Sequence, residues 1–464
     1  MVFSSLVFMW IFLPLVFLGS RILRGKYVNV FLLVSSLLFY AWGEPVYIVL
    51  MLFSIFFNYF SAQMIEHHKG NKILLFVVVM VNLGMLGIFK YYNFAVETIN
   101  SICHYTVLSE RNIPLPIGIS FYTFQALSYV IDVYLGKIPV QKKLTSLALY
   151  ISFFPQLIAG PIIQYKDIDQ QLEERQITSE NTAEGFNRFF IGLGKKVLIS
   201  NVMASVTDNI FTMDYSHMGM LTAWIGIICY TLQIYYDFSG YSDMAIGLGK
   251  MFGFEFCENF KLPYTADSIK DFWTKWHISL SSWFKEYLYI PLGGNRKGTL
   301  KTYRNNVLVF LATGIWHGAS WNFVIWGLIH GAFLILERMG FSKVLLKIPK
   351  LMRHTYTMLV VMVAWVFFRV EQLGLAFDYL SAMFDFRMLN VREYVLSPKE
   401  ILVVIAAVFF AGFHKVVYTR IMENGKNTWM KSFEAKSVVS IGLYFLAICS
   451  LAAGEYNPFI YFRF

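Results

Sequence analysis

Apolar residues run along this chain in long blocks separated by short polar stretches. The blocks fill residues 2–18, 28–42, 46–62, 73–89, 146–163, 221–234, 307–315, 358–368, 401–413 and 438–453. A perpendicular membrane helix needs ~20 such residues, so the longer blocks predict full crossings and the shorter ones tilted, broken or half-spanning helices. The pattern predicts an all-α integral membrane protein, a polytopic bundle of roughly ten to twelve membrane-embedded helices. The hydrophilic interruptions, about residues 93–112, 165–184, 285–306, 336–353 and 385–399, are too small to hold a core of their own. Residues 1–464 are therefore expected to form a single transmembrane domain.

The first block has no basic residue before it, whereas Arg21, Arg24 and Lys26 follow it. A retained first span is expected rather than a cleaved leader, with those three charges in the cytoplasm. The turn at 43–45 then faces out and the stretch at 67–72 faces in. Proline and glycine interrupt the blocks at Pro114-Leu-Pro116-Ile-Gly118, Pro155-Gln-Leu-Ile-Ala-Gly160-Pro161 and Pro291-Leu-Gly293-Gly294. Non-helical backbone at membrane depth survives only where protein or a water-filled cavity covers it. These breaks predict re-entrant segments around a central funnel. A transporter or flippase for a cell-envelope precursor would carry similar breaks.

Composition sharpens the class. The chain is 57% hydrophobic and 15% charged, against about 25% charged in soluble proteins. The net charge of +10 fits basic cytoplasmic loops, membrane lipid and anionic substrates; no soluble basic domain is present to hold nucleic acid. The four cysteines show no ligand spacing, so neither a disulfide framework nor a zinc site is expected.

Chemistry concentrates at two tryptophan-flanked histidines, His277 in Phe272-Trp-Thr-Lys-Trp-His277-Ile-Ser-Leu and His317 in Gly314-Ile-Trp-His317-Gly-Ala-Ser-Trp. An imidazole in hydrocarbon reads first as functional, and histidine suits proton transfer near neutral pH. Around the first, lysines interleave with aromatic residues over 268–289, as in an interfacial helix. Seven basic residues against two acidic ones from Lys270 to Arg304 leave a local net of +5. Headgroup snorkelling explains such charges, and so does a dock for a phosphate-bearing donor. Around the second, Gly314…Gly318 and Gly327…Gly331 flank His317 and His330 with the spacing of close helix contacts. On one continuous helix those two histidines would sit about 140° apart and could not share a metal; a break near 319–322 would change that geometry. Asp237 and Asp243 end an apolar block, where a carboxylate caps a following helix, orients a histidine or binds a substrate hydroxyl.

At these residues the chain resembles the membrane-bound O-acyltransferase superfamily, in its bacterial alginate and peptidoglycan O-acetylation branch. The resemblance spans essentially the whole chain. It runs through Pro116-Ile-Gly-Ile-Ser-Phe-Tyr-Thr-Phe-Gln125, Phe154-Pro-Gln-Leu-Ile-Ala-Gly-Pro161, Tyr236-Asp-Phe-Ser-Gly-Tyr-Ser-Asp243 and Asn259-Phe-Lys-Leu-Pro-Tyr264. It continues through Phe272–Ser279, Tyr289-Ile-Pro-Leu-Gly-Gly-Asn-Arg296, Trp316-His-Gly318 and Asn457-Pro-Phe-Ile-Tyr-Phe462.

The resemblance implies acyl transfer from a thioester donor to a hydroxyl in the bacterial cytoplasmic membrane. In this branch the donor is acetyl-CoA, a substrate rather than a resident cofactor. The acetyl group ends on an exported polysaccharide or cell-wall glycan, commonly through a secreted or membrane-anchored esterase-like partner. His317 falls on the family's catalytic histidine and His277 on its second polar position. On this reading His317 is the base, while His277 polarises the thioester carbonyl or positions the donor. Trp273, Trp276, Trp316 and Trp321 line or pack the centre. Lys275, Arg296 and Asp237 complete the candidate substrate-binding set.

Overall fold

The computed structural model describes residues 1–111, 113–389, 393–414, 433–454 and 456–458. Residues 112 and 390–392, in two of the hydrophilic interruptions, and 459–462 of the closing motif lie outside the described residues. Among the described residues the secondary structure is helical throughout, without a strand. Seven described helices are long and apolar enough to cross a membrane: Lys26–Gly43, Ile48–His67, Lys72–Cys103, Ser179–Phe211, Trp321–Leu345, Lys350–Arg369 and Phe433–Ala452. Apolar helices at Phe8–Ile22 and Leu373–Met383 are shorter. The expected polytopic helical fold is therefore present, with seven helices of full spanning length among the described residues.

The chain forms two compact units, Met1–Phe189 with Met244–Cys257, and Phe190–Asp243 with Glu258–Phe464. In the first, the helices Ile48–His67 and Lys72–Cys103 are tied by Asn58 and Asn82, whose buried amides exchange hydrogen bonds of 3.0 and 2.9 Å. Pairing satisfies both polar groups without water. Leu38 on Lys26–Gly43 and Val49 and Phe60 on Ile48–His67 point outward, as lipid-facing side chains do.

At the centre of this unit lies Ile119–Tyr134, a helix buried on almost every face. It starts where the sequence places a break. Gly118 has φ +76°, and a Cβ there would meet the Leu157 carbonyl oxygen at 2.6 Å. The Pro116–Gly118 break thus rests on the break at 154–161, and protein covers both.

Asp237 and Asp243, in the second unit, lie on the helix Met220–Met251, which runs on past both. Neither aspartate caps a helix, in contrast to the sequence expectation. Each instead meets a lysine of the preceding helix: Lys196 Nζ lies 2.6 Å from Asp237, and Lys195 Nζ lies 2.6 Å from Asp243. Sequence pattern could not show this, because the apolar block ends while the helix does not.

Candidate active site

The His317 side of the site is a helical hairpin. The helix Thr299–His317 ends at His317, Gly318 is extended, and Trp321–Leu336 begins after Ser320. The chain does break where the sequence allowed it, so His317 and His330 occupy opposing helices rather than two faces of one. Small residues set the spacing. A Cβ on Gly314 would strike the Phe323 carbonyl, and one on Gly327 would strike the Phe310 carbonyl. Those reciprocal contacts make the pair antiparallel and seat the backbones too close for any side chain.

The His277 side is a broken helix. Ile269–Trp273 and Ile278–Phe284 replace the single interfacial helix expected over 268–289. The join is His277 itself, a non-glycine residue at φ +44°. That conformation costs about 1–2 kcal/mol and persists only where surrounding structure imposes it. Asn259 does so: its carbonyl accepts the Ile278 N–H at 3.0 Å, and its Oδ1 accepts the Ser279 N–H at 3.3 Å and the Ser279 hydroxyl at 2.9 Å. His277 Nδ1 lies 3.1 Å from the same Oδ1.

Both imidazoles are buried, His277 fully and His317 to 4% exposure. Their ring centroids are 6.3 Å apart. This is too far for a direct nitrogen–nitrogen hydrogen bond. Trp316 abuts both rings, and Phe238 meets His277 edge-on at 4.7 Å. Trp326 and Phe368 close on His317 at 4.9 and 5.2 Å. The walls are thus aromatic, and the indole nitrogens of Trp316 and Trp326 are buried beside the two imidazoles.

Beside this centre lies a cavity of about 620 Å³ whose lining includes Lys270, Trp273, Lys285, Thr313, Arg338 and Arg353. On the His317 helix its lining residues Asn306, Val309, Phe310 and Thr313 form one stripe, and His317 is the next position along it. Two acids also line the cavity, and both are engaged. Glu337 accepts the N–H groups of Ile269 and Lys270 at 2.6 and 3.0 Å, fastening the broken helix to the hairpin. Asp267 pairs with Arg353 at 3.4 Å.

The sequence candidates divide accordingly. His277, His317 and Trp316 come together, and Trp273 walls the cavity. Trp276 is buried one step away, its ring 5.1 Å from Trp365. Trp321 is 53% exposed and does not line the centre, because it opens its helix at the outer turn. Lys275 is paired with Asp271 at 2.7 Å. Arg296 is exposed in the 293–296 turn and is not among the cavity residues. Asp237 is committed to Lys196, although its neighbour Phe238 touches His277. Sequence reasoning missed Asn259, Glu337, Arg338 and Arg353; only Asn259 lay in a motif that carried the resemblance. Among the described residues no group of histidine, cysteine and carboxylate side chains could hold a metal ion.

Comparison with known proteins identifies the family. The family described as MBOAT, membrane-bound O-acyltransferase, matches residues 48–377, which include both histidines and the cavity. The chain belongs to the membrane-bound O-acyltransferase family. It is 40% identical to the probable alginate O-acetylase AlgI of Pseudomonas putida over the full length of both chains. It is 34% identical to the peptidoglycan O-acetyltransferase of Helicobacter pylori, over 100% of this chain and 98% of that one. It also shares 30% identity with the teichoic acid D-alanyltransferase of Bacillus subtilis, over 47% of this chain and 58% of that protein. This membrane-bound O-acyltransferase is a multi-pass membrane enzyme.

Proposed function

We propose that this enzyme moves an acetyl group from cytoplasmic acetyl-CoA to a hydroxyl of an exported polysaccharide or cell-wall glycan, through a secreted or membrane-anchored partner. The observation that carries the reading is the pair of buried histidines, ring centroids 6.3 Å apart, with Thr313 one turn before His317 lining a cavity that also holds Lys270, Lys285, Arg338 and Arg353. The names of the full-length relatives support O-acetyl transfer to a glycan. The cavity lies where the Thr299 and Leu336 ends of the hairpin meet. The loops there carry Arg296, Lys297, Arg338, Lys343 and Lys347, the bias of a cytoplasmic face.

In this reading Lys270, Lys285 and Arg338 hold the donor's phosphates, and the thioester reaches inward past Trp273 and Thr313. His317 removes the hydroxyl proton as the oxygen attacks the thioester carbon. The carbon–oxygen bond forms, the carbon–sulfur bond breaks, and the departing thiolate takes the proton back from His317. His277 positions the reacting oxygen. The aromatic walls exclude water, which would otherwise intercept the acyl group.

The test is transfer from radiolabelled acetyl-CoA by the full-length protein in liposomes, with and without its partner. His317→Ala is expected to insert and fold normally yet release no CoA and transfer no label. Retained transfer refutes the assignment of His317. A wild type that releases no CoA even with its partner supplied refutes acyl transfer and favours a transporter.

A further inference from the structure

His277 has two ring nitrogens in different surroundings. Nδ1 faces Asn259 Oδ1 at 3.1 Å, while Nε2 is buried with no hydrogen-bond partner among the described residues. The identity of the Asn259 oxygen is fixed by its other contacts. It receives the backbone N–H of Ser279, which can only donate, and the Asn259 amide nitrogen reaches Ser242 Oγ at 3.0 Å. Turning the amide over would set an NH2 group against that backbone N–H. A carbonyl oxygen beside Nδ1 requires the proton to sit on Nδ1. A neutral ring protonated there has a bare Nε2.

We infer that Asn259 is a positioning residue that locks His277 in the Nδ1–H form, so that His277 meets the substrates through Nε2 as a hydrogen-bond acceptor. This rests on the acyl-transfer reading above and deepens it. A bare nitrogen accepts from the incoming hydroxyl and fixes its oxygen between the two rings. A neutral His277 of this form does not polarise the thioester carbonyl, one of the two roles that the sequence suggested for it. The device is rigid at each link. The left-handed backbone of His277, the Ile278 N–H bond to the Asn259 carbonyl and the Ser242–Asn259–Ser279 chain hold ring and amide in one register.

The experiment uses the full-length protein in lipid, labelled with 15N-histidine, with His277 assigned by loss of its signals in His277→Asn. The expected spectrum shows His277 as the Nδ1–H tautomer at neutral pH; an Nε2–H tautomer or an imidazolium overturns the inference. Kinetics supply the second arm. Asn259→Asp keeps an acceptor at both contacts and is expected to retain the tautomer and most of kcat. Asn259→Leu removes the acceptor and is expected to lower kcat by at least about tenfold, with KM for acetyl-CoA unchanged. Equal kcat in the Leu and Asp variants overturns it. Should the Leu variant fail to fold, the wild-type and Asp spectra still decide. The tautomer is read without turnover, so failure of the acyl-transfer reading and failure of this one are distinguishable.

Discussion

The substitution Gly314→Ala tests the link between helix packing and the site most directly. Gly314 lies one turn before His317 on the hairpin, and its added methyl would overlap the Phe323 carbonyl, with the carbonyl carbon at 3.1 Å and Gly327 Cα at 3.5 Å. Backbone atoms cannot rotate aside as a flexible side chain does, so the two helices must separate by about 1 Å to restore ordinary contact. Overpacking of this kind costs about 1–3 kcal/mol, which an inserted bundle survives. Catalysis is less tolerant, since a 1 Å misplacement of a reacting group costs about 10²-fold. The expected result is a protein that inserts and purifies normally, melts several degrees lower, and loses about two orders of magnitude in acetyl transfer. Gly87→Ala is the control. Its Cβ would meet nothing within 4 Å, so the better helix former should leave activity unchanged and stability equal or up to about 1 kcal/mol higher. Wild-type turnover in Gly314→Ala would refute the claim that hairpin spacing sets the His317 position.

The remaining predictions address charge and backbone. Lys196→Met strands the buried Asp237 carboxylate without its lysine and should cost about 3–5 kcal/mol, whereas Lys196→Met with Asp237→Leu should recover most of it; equal melting of single and double variants in detergent refutes this. Arg338→Ala or Lys285→Ala should raise the KM for acetyl-CoA about fivefold, a partly exposed charge pair's worth, while Arg296→Ala leaves it unchanged. A KM effect confined to Arg296 would move the donor out of the cavity. His277→Asn keeps a residue that tolerates positive φ and should therefore fold and insert like wild type while losing turnover; a melting drop as large as that of His277→Val would show that the position is chiefly structural.

Much of this was visible in the sequence because lipid imposes a coarse rule. Long apolar blocks forced a helical membrane fold, and imidazoles amid tryptophans stood out as groups with no reason to lie there. The glycine spacing at 314, 318, 327 and 331 announced a close helix pair, which the hairpin supplies. What the sequence could not show was which polar groups meet. Asp237 read as a cap because an apolar block ended beside it, yet its partner lies 41 positions away on another helix. Arg338 and Arg353 lay in a stretch that read only as a hydrophilic interruption, because the cavity joins segments that are separated by the whole hairpin. Trp321 shared its motif with His317, but one turn of chain sends it outward.

The common thread is the broken helix. A continuous membrane helix can offer a reacting group only from its side, at a spacing fixed by its neighbours. At His317 the helix stops, and at His277 it is interrupted by a left-handed residue. Both imidazoles therefore project from helix ends, where backbone direction is free to aim them. The cost of each break is met locally, by Gly318 passing beneath the Phe323 ring in one case and by Asn259 accepting the freed N–H groups in the other. The supporting residues are thus as particular as the histidines they serve. It follows that acyl transfer should fall sharply in Gly318→Ala or Asn259→Leu, though less far than on loss of His317 itself, even though neither supporting residue offers a group that could take the proton.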